Sequence, residues 1–192
     1  MEGRDDNMRV RQYRNDEKAD VQRICIANSK SFANGRHDIL LLLFCDYYLE
    51  HERESCFVLA NAHDKAAGYI ICAPDWNRYE TLYIKEFMPL LEQRSPEHSQ
   101  DRTDELLFLG ELAHLYPAHL HMDVLKDYQS SGYGGLLMQT LAEHLQSMQI
   151  PGVMLEVGGG NIRAHRFYER HGFVLLEKRG GSCYYGRRLA DT

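Results

Sequence analysis

The residues best suited to chemistry lie between His119 and Phe173. One group is rich in glycine. The segment Gln129-Ser130-Ser131-Gly132-Tyr133-Gly134-Gly135 follows an alternating run, Leu120 to Leu125, that reads as a strand. It precedes Leu137, Leu141, Leu145 and Met148, spaced as one stripe of a helix. Glycines let the backbone come close to a ligand, and the first turn of a helix offers N–H groups with no internal partner. A strand, a glycine turn and a helix in that order can hold an anion. We therefore expect a phosphate or pyrophosphate cradle between Gln129 and Leu136. It is not a Walker loop, because Gly-Gly-Leu stands where Gly-Lys-Ser/Thr is needed. Nor is it a dinucleotide fingerprint, because Leu137 occupies the place of the third glycine. A second group, His119, His121 and Asp123, alternates along the same strand and so shares one face. Such a set can bind a metal and would then suit a metal-dependent hydrolase. Strands commonly alternate polar and apolar residues, however, and no cysteine or second acidic cluster is adjacent in sequence. The reading adopted has no metal site.

The elements that must position these groups follow from the pattern of the chain. Met8 to Tyr13 alternates as a first strand, and Asn15 or Asp16 can cap a helix with the stripe Val21, Ile24, Cys25 and Asn28. Asn34-Gly35 reads as a turn. A second helix is expected from Asp38 to Glu50, apolar nearly all round at its start. Cys56 to Ala60 and Ala66 to Cys72 read as strands joined by a hairpin turn. Asp75 to Pro117 is longer than a loop in a compact domain needs. It carries two helical candidates, about 79–91 and 103–115, separated by a polar break at Gln93–Arg102, and is expected to be an insertion forming a substrate-side lid. Val153 to Val157, Phe173 to Lys178 and Ser182 to Leu189 complete the strands, with Gly180-Gly181 as a turn. Helices interleave with strands, so the class is α/β or α+β around a mixed sheet, read as one domain over residues 1–192.

The spacing Gln129-x-x-Gly132-x-Gly134 resembles the pyrophosphate-loop signature of the GNAT N-acetyltransferase superfamily. Asn161, Ala164, Phe167, Tyr168, Gly172 and Phe173 resemble the second motif that follows it there. Two motifs in the right order cover roughly the last 75 residues. Within the superfamily the segment Pro117 to Gln129 looks most like the acetyltransferase-like domain of O-GlcNAcases and its free-standing bacterial relatives. The resemblance implies a mostly antiparallel central sheet flanked by helices, with the helical insertion placed before the central strand. It implies acetyl transfer from acetyl-CoA to an amine, small molecule or peptide, by direct attack through a tetrahedral intermediate. A backbone N–H near Val124 would polarise the carbonyl. Val124 and Leu125 would pair with the pantetheine arm, Gln129, Ser130, Ser131, Gly132, Tyr133, Gly134 and Gly135 would hold the pyrophosphate, and Asn161 would add a contact. Tyr168 would protonate the departing thiolate, and Asp123 would accept the amine proton, with Glu111 and Glu156 as competing bases. Gly158-Gly159-Gly160 departs from the bulkier family run and would leave the acceptor wall open. The alternative within this fold is a non-catalytic acyl-CoA-binding module.

The bulk numbers bound the remaining classes. A net charge of −6 and the lack of a basic cluster argue against nucleic acid as a partner. Five cysteines with no Cys-x-x-Cys pair read as core residues of a reducing compartment. No apolar leader is visible at the N-terminus, and the longest apolar run, Ile39 to Cys45, is too short to span a bilayer. A cytoplasmic protein is expected, with a homodimer left open.

Overall fold

The computed structural model describes residues 8–29 and 35–189. Asn34, half of the expected turn, and the N-terminal segment 1–7 lie outside them. Seven strands form one sheet in the order β1-β2-β3-β4-β5-β7-β6. They are β1 (Arg9–Gln12), β2 (Cys56–Ala60), β3 (Ala66–Ala73), β4 (Ala118–Val124), β5 (Gly152–Gly158), β6 (Val174–Arg179) and β7 (Ser182–Arg188). Every neighbouring pair is antiparallel except β4 and β5, which the helix α7 (Tyr133–Ser147) connects as a crossover. The mixed, mostly antiparallel sheet flanked by helices is the architecture expected from the sequence.

The parallel pair is short. Only Ala118 with Val153 and His119 with Met154 are in register, and beyond them β4 and β5 part. The paired end is clamped from outside. A Cβ at Gly152 would lie 2.4 Å from the carbonyl oxygen of Leu115 and 2.9 Å from the Tyr116 ring, so only glycine lets that segment cross so closely.

One face of the sheet packs α1 (Lys18–Asn28), α2 (His37–Phe44), α3 (Asp46–His51) and the helices between β3 and β4. The other packs α7 through Leu137, Leu141 and Leu145, as the stripe requires, while Met148 falls at its C-terminal cap and is exposed. The helix α8 (Ile162–Arg170) is capped by Asn161, whose Oδ1 accepts from Ala164 N at 3.2 Å.

Three expectations are corrected. Glu17, not Asn15 or Asp16, organises the start of α1. Its Oε1 accepts from Arg14 N, and both its oxygens accept from the Arg11 guanidinium. The expected helix Asp38–Glu50 is broken at Cys45 (φ −135°, ψ −57°). A straight helix with apolar residues all round would leave some of them in water, and the break turns Tyr47, Tyr48 and Leu49 into the core. The polar segment Gln93–Arg102 is largely helix. Ser95 alone separates α5 (Met88–Arg94) from α6 (Pro96–Leu112), and Pro96 opens α6. The buried stripe of α6 is Ser99, Arg102, Leu106 and Leu109, so half of it is polar and escapes a hydrophobic pattern.

The insertion, expected to form a lid, packs one aromatic face into the core. The helix α4 (Trp76–Leu82) starts at Asp75, whose Oδ1 accepts from Arg78 N, and continues through a wider π turn, Tyr83–Phe87, into α5. Trp76, Tyr79, Tyr83, Phe87 and Leu91 are all buried. Residues four apart drift around an α-helix, and the wider turn brings Leu91 back to the same face. Among the described residues no helix is long and apolar enough to cross a membrane.

Because the carbonyl of Leu115 cannot yield as a flexible side chain would, Gly152→Ala should destabilise the fold by about 1–3 kcal/mol, the usual cost of overpacking. Urea unfolding of the two proteins checks this. An unchanged midpoint would show that the clamp on β4 and β5 is loose.

Candidate active site

On β4 the side chains of His119, His121 and Asp123 share one face, and β3 sets Tyr69 opposite Asp123. Tyr69 Oη donates to Asp123 Oδ2 at 2.8 Å and lies 3.0 Å from His121 Nδ1. Burial disfavours the carboxylate and pushes Asp123 up to about 7, although the Tyr69 hydrogen bond pulls the other way. Burial lowers His121 to about 4, so its ring is neutral at neutral pH and Nδ1–H can donate to the Tyr69 oxygen. Tyr69 was not picked out from the sequence, because it lies inside an apolar run. The one available signal was that it alternates onto the same sheet face as Asp123.

Tyr168 comes from α8 and is buried between Phe167 and Phe173, with ring centroids 5.2 and 5.4 Å away. Burial first, and the Asp123 charge second, hold its phenol well above the ordinary range, so it stays protonated. A protonated phenol and a carboxyl of raised pKa thus sit within each other's field. Glu111 is exposed on α6 and does not line the cleft. Glu156 lines it from β5. Gly159 N donates to Gly181 O at 2.8 Å, which ties the triple glycine to the β6–β7 turn, while Gly158 and Gly160 are exposed with open space beside them.

The alternative metal set of His119, His121 and Asp123 does not assemble. His119 is turned away into the rings of Tyr48, Trp76 and Tyr79. The donor atoms that approach one another are those of Cys25, His121 and Asp123. All five cysteines are buried and free.

The loop after β4 turns through two left-handed residues, Ser130 (φ +63°) and Gly132 (φ +86°). Gly132 precedes α7, and no side chain caps the helix. Gly132 has open space where a Cβ would stand, so its role is conformational. The other two glycines also have a packing role. A Cβ at Gly134 would lie 3.1 Å from the Phe167 ring, and one at Gly135 would lie 3.1 Å from His171 Nε2. They let α8 pack across the start of α7. Gln129 Nε2 donates to Val124 O at 2.6 Å, and its Oε1 accepts from Arg163 Nη1. Arg163 stands in the first turn of α8, where a cation opposes the helix dipole. Sequence reasoning missed it because only the fold brings it to the loop.

Leu125 N donates to Ala67 O at 2.9 Å. The alternation of an antiparallel ladder then turns the amides of Met122 and Val124 toward the gap where β5 has departed. The parted strands, the uncapped helix start, the half-buried Asp123 and the buried Tyr168 surround that gap.

Residues 21–173 match the model of the acetyltransferase (GNAT) family, and the chain belongs to this family. Among solved structures it is similar to SsHAT, with 29% identity, coverage of 96% of this chain and 99% of that one, and a TM-score of 0.86. It shares the fold of Ard1 from Thermoplasma volcanium (18% identity, 96% and 99% coverage, TM-score 0.62). It also shares that of PaiA N-acetyltransferase from Thermoplasma acidophilum, solved in complex with coenzyme A (11% identity, 95% and 99% coverage, TM-score 0.61). Membership of an acetyltransferase family, together with the position of His119, removes the metal-dependent hydrolase as a reading.

The raised pKa of Asp123 has a consequence for stability. Between the ordinary value of 3.8 and about 7, the folded protein keeps a proton that the unfolded chain has lost. The contribution is complete below pH ~4 and is lost as pH rises through 7. Asp123→Asn removes this titration. The variant should gain in melting temperature relative to wild type as pH is raised from 4 to 8. A difference independent of pH would contradict a buried carboxyl at this position.

Proposed function

We propose that this protein transfers the acetyl group of acetyl-CoA to the nitrogen of an amine, by direct attack and without a covalent enzyme intermediate. The observation that carries the reading is the parting of β4 and β5, which leaves backbone donors beside an uncapped helix start. An amide-rich pantetheine arm can add to that edge as a strand would, along Val124 and Leu125. Consecutive amides from Gln129 through Ser130, Ser131, Gly132, Tyr133, Gly134 and Gly135, in a turn with left-handed residues, make a concave site for a pyrophosphate. Asn161 and Arg163 flank it. Gln129, which bonds to Val124 O, must release that carbonyl for the arm to use it.

The chemistry then falls to two side chains. Asp123, at about 7, is half ionised near neutral pH and can take the proton that the amine must lose. Tyr168, buried and protonated, can give a proton to the sulfur as it leaves. A thiolate in a partly dry cleft is poorly solvated, so a nearby donor lowers the barrier. The amide of Val124 or Met122 can polarise the thioester carbonyl. The acceptor is a small-molecule or peptide amine.

Acetyl-CoA should raise the melting temperature, and CoA release over a panel of amines should report turnover. Tyr168→Phe keeps the ring and deletes the hydroxyl. It should lower kcat by roughly 10²-fold while leaving calorimetric affinity for acetyl-CoA unchanged. Wild-type turnover by the variant, with chemistry rate-limiting, would remove Tyr168 as the acid. Binding of acetyl-CoA without turnover on any amine would make this a binding module.

A further inference from the structure

Three polar side chains meet beside Asp123, and the proposed reaction uses none of them. Tyr69 comes from β3, His121 from β4 and Cys25 from α1. Tyr69 is fully buried, and its hydroxyl is the hub. It donates to Asp123 Oδ2 at 2.8 Å and lies 3.0 Å from His121 Nδ1. The Cys25 sulfur comes within 4.8 Å of donor atoms of His121 and Asp123. Among the described residues no Lys or Arg forms an ion pair with Asp123, and nothing but Tyr69 bonds to its carboxyl. The Tyr168 phenol of α8 completes the titratable groups within its field.

The direction of this chain follows from counting protons. A hydroxyl has one proton to give. Tyr69 gives it to Asp123, so the contact with His121 must be filled by a proton from the ring. Burial keeps that ring neutral, and a neutral imidazole carries one N–H, which the contact assigns to Nδ1. His121 stacks on Phe44 with ring centroids 5.4 Å apart, which fixes the plane of the ring. The chain therefore runs from His121 through Tyr69 to Asp123, and each donor is strengthened by the one behind it. Burial holds the Tyr69 phenol well above its ordinary range, so it donates without losing its proton. A hydrogen bond to the charged form of a carboxyl favours that form, and here it opposes the burial that disfavours it. One oxygen of Asp123 is thus tied, and Oδ1 is the one without a protein partner among the described residues.

We propose that Tyr69 is a positioning residue for acetyl transfer: oriented by His121, its hydroxyl holds Asp123 Oδ2 and leaves Oδ1 to accept the proton of the attacking amine. This rests on the acetyl-transfer reading. In the reaction the amine nitrogen bonds to the thioester carbon and gives one proton to Asp123 Oδ1. The C–S bond breaks, and the sulfur leaves with the electron pair and takes the Tyr168 proton. Tyr69 keeps its own proton throughout. A buried hydroxyl also needs partners for its own sake, so the test must separate support of the base from satisfaction of the phenol.

The experiment follows kcat/KM with acetyl-CoA and each of pentylamine, aniline and glycinamide from pH ~6 to pH ~9 in wild type, Tyr69→Phe, His121→Leu and His121→Asn. Each variant is expressed as a ratio to wild type at the same pH, which cancels the ionisation of the amine. Loss of the hydroxyl removes the bond that favours ionised Asp123, so less base is available at the acid end. The Tyr69→Phe ratio should therefore be lowest there and climb about 10-fold or more toward the alkaline end, as expected for a lost hydrogen bond to a charged group. KM for acetyl-CoA should not change. The His121→Leu ratio should climb in the same direction. His121→Asn, whose amide N–H can stand in for Nδ1–H, should return toward a ratio independent of pH. A Tyr69→Phe ratio that is flat with pH overturns the proposal, as does equal behaviour of His121→Leu and His121→Asn. Wild-type turnover by Asp123→Asn leaves no base to position and overturns it too, with acetyl transfer standing. Turnover on none of the amines overturns both. Should Tyr69→Phe fail to fold, the two His121 variants decide by the same ratios.

Discussion

Two parallel strands that pair for two residues and then part leave backbone N–H and C=O groups facing a gap. Such groups cannot be left dry without a partner. In β4 the gap-side carbonyl of Val124 is met by the side chain of Gln129, a borrowed partner that a ligand can displace. The glycines follow from the same constraint. Gly152 lets Leu115 and Tyr116 clamp the paired end, and Gly134 and Gly135 let α8 close over the start of α7 at the open end. The parting is thus built from both sides of the sheet.

The proposed chemistry draws on both faces of the sheet: Asp123 stands with Tyr69 on the face that packs the helical insertion, and Tyr168 lies in the core on the α7 face. Burial there does two things at once. It lifts carboxyls such as Asp123 and Glu156 toward neutrality, and it keeps Tyr168 protonated. A base that titrates near neutral pH and an acid that stays protonated are what proton transfer in acyl transfer requires. The insertion contributes by rigidity. Its aromatic column, Trp76, Tyr79, Tyr83 and Phe87, seats Arg102, and Arg102 in turn neutralises Glu105 beneath the cleft.

Much of this was legible in the chain. Strand alternation put His119, His121 and Asp123 on one face of β4, and the glycine loop with its helix stripe gave the turn and α7, because both depend on local periodicity. Motif spacing located Tyr168 and Asn161. What stayed hidden depends on contacts between distant segments. Tyr69 meets Asp123 across 54 positions, and Arg163 meets Gln129 across 34. The start of α6 was hidden for another reason: a stripe that buries Ser99 and Arg102 does not look hydrophobic. The length of the insertion did not tell that its aromatic residues at four-residue spacing are core.

The account turns on the edge of β4 being held open for the pantetheine arm. Amide hydrogen exchange at Met122 and Val124, measured with and without saturating acetyl-CoA, tests that most directly. The account predicts slower exchange at these two amides when acetyl-CoA is bound. Exchange unchanged at both, in a protein shown by calorimetry to be saturated, would mean that the cofactor lies elsewhere and that the parted strands serve another purpose.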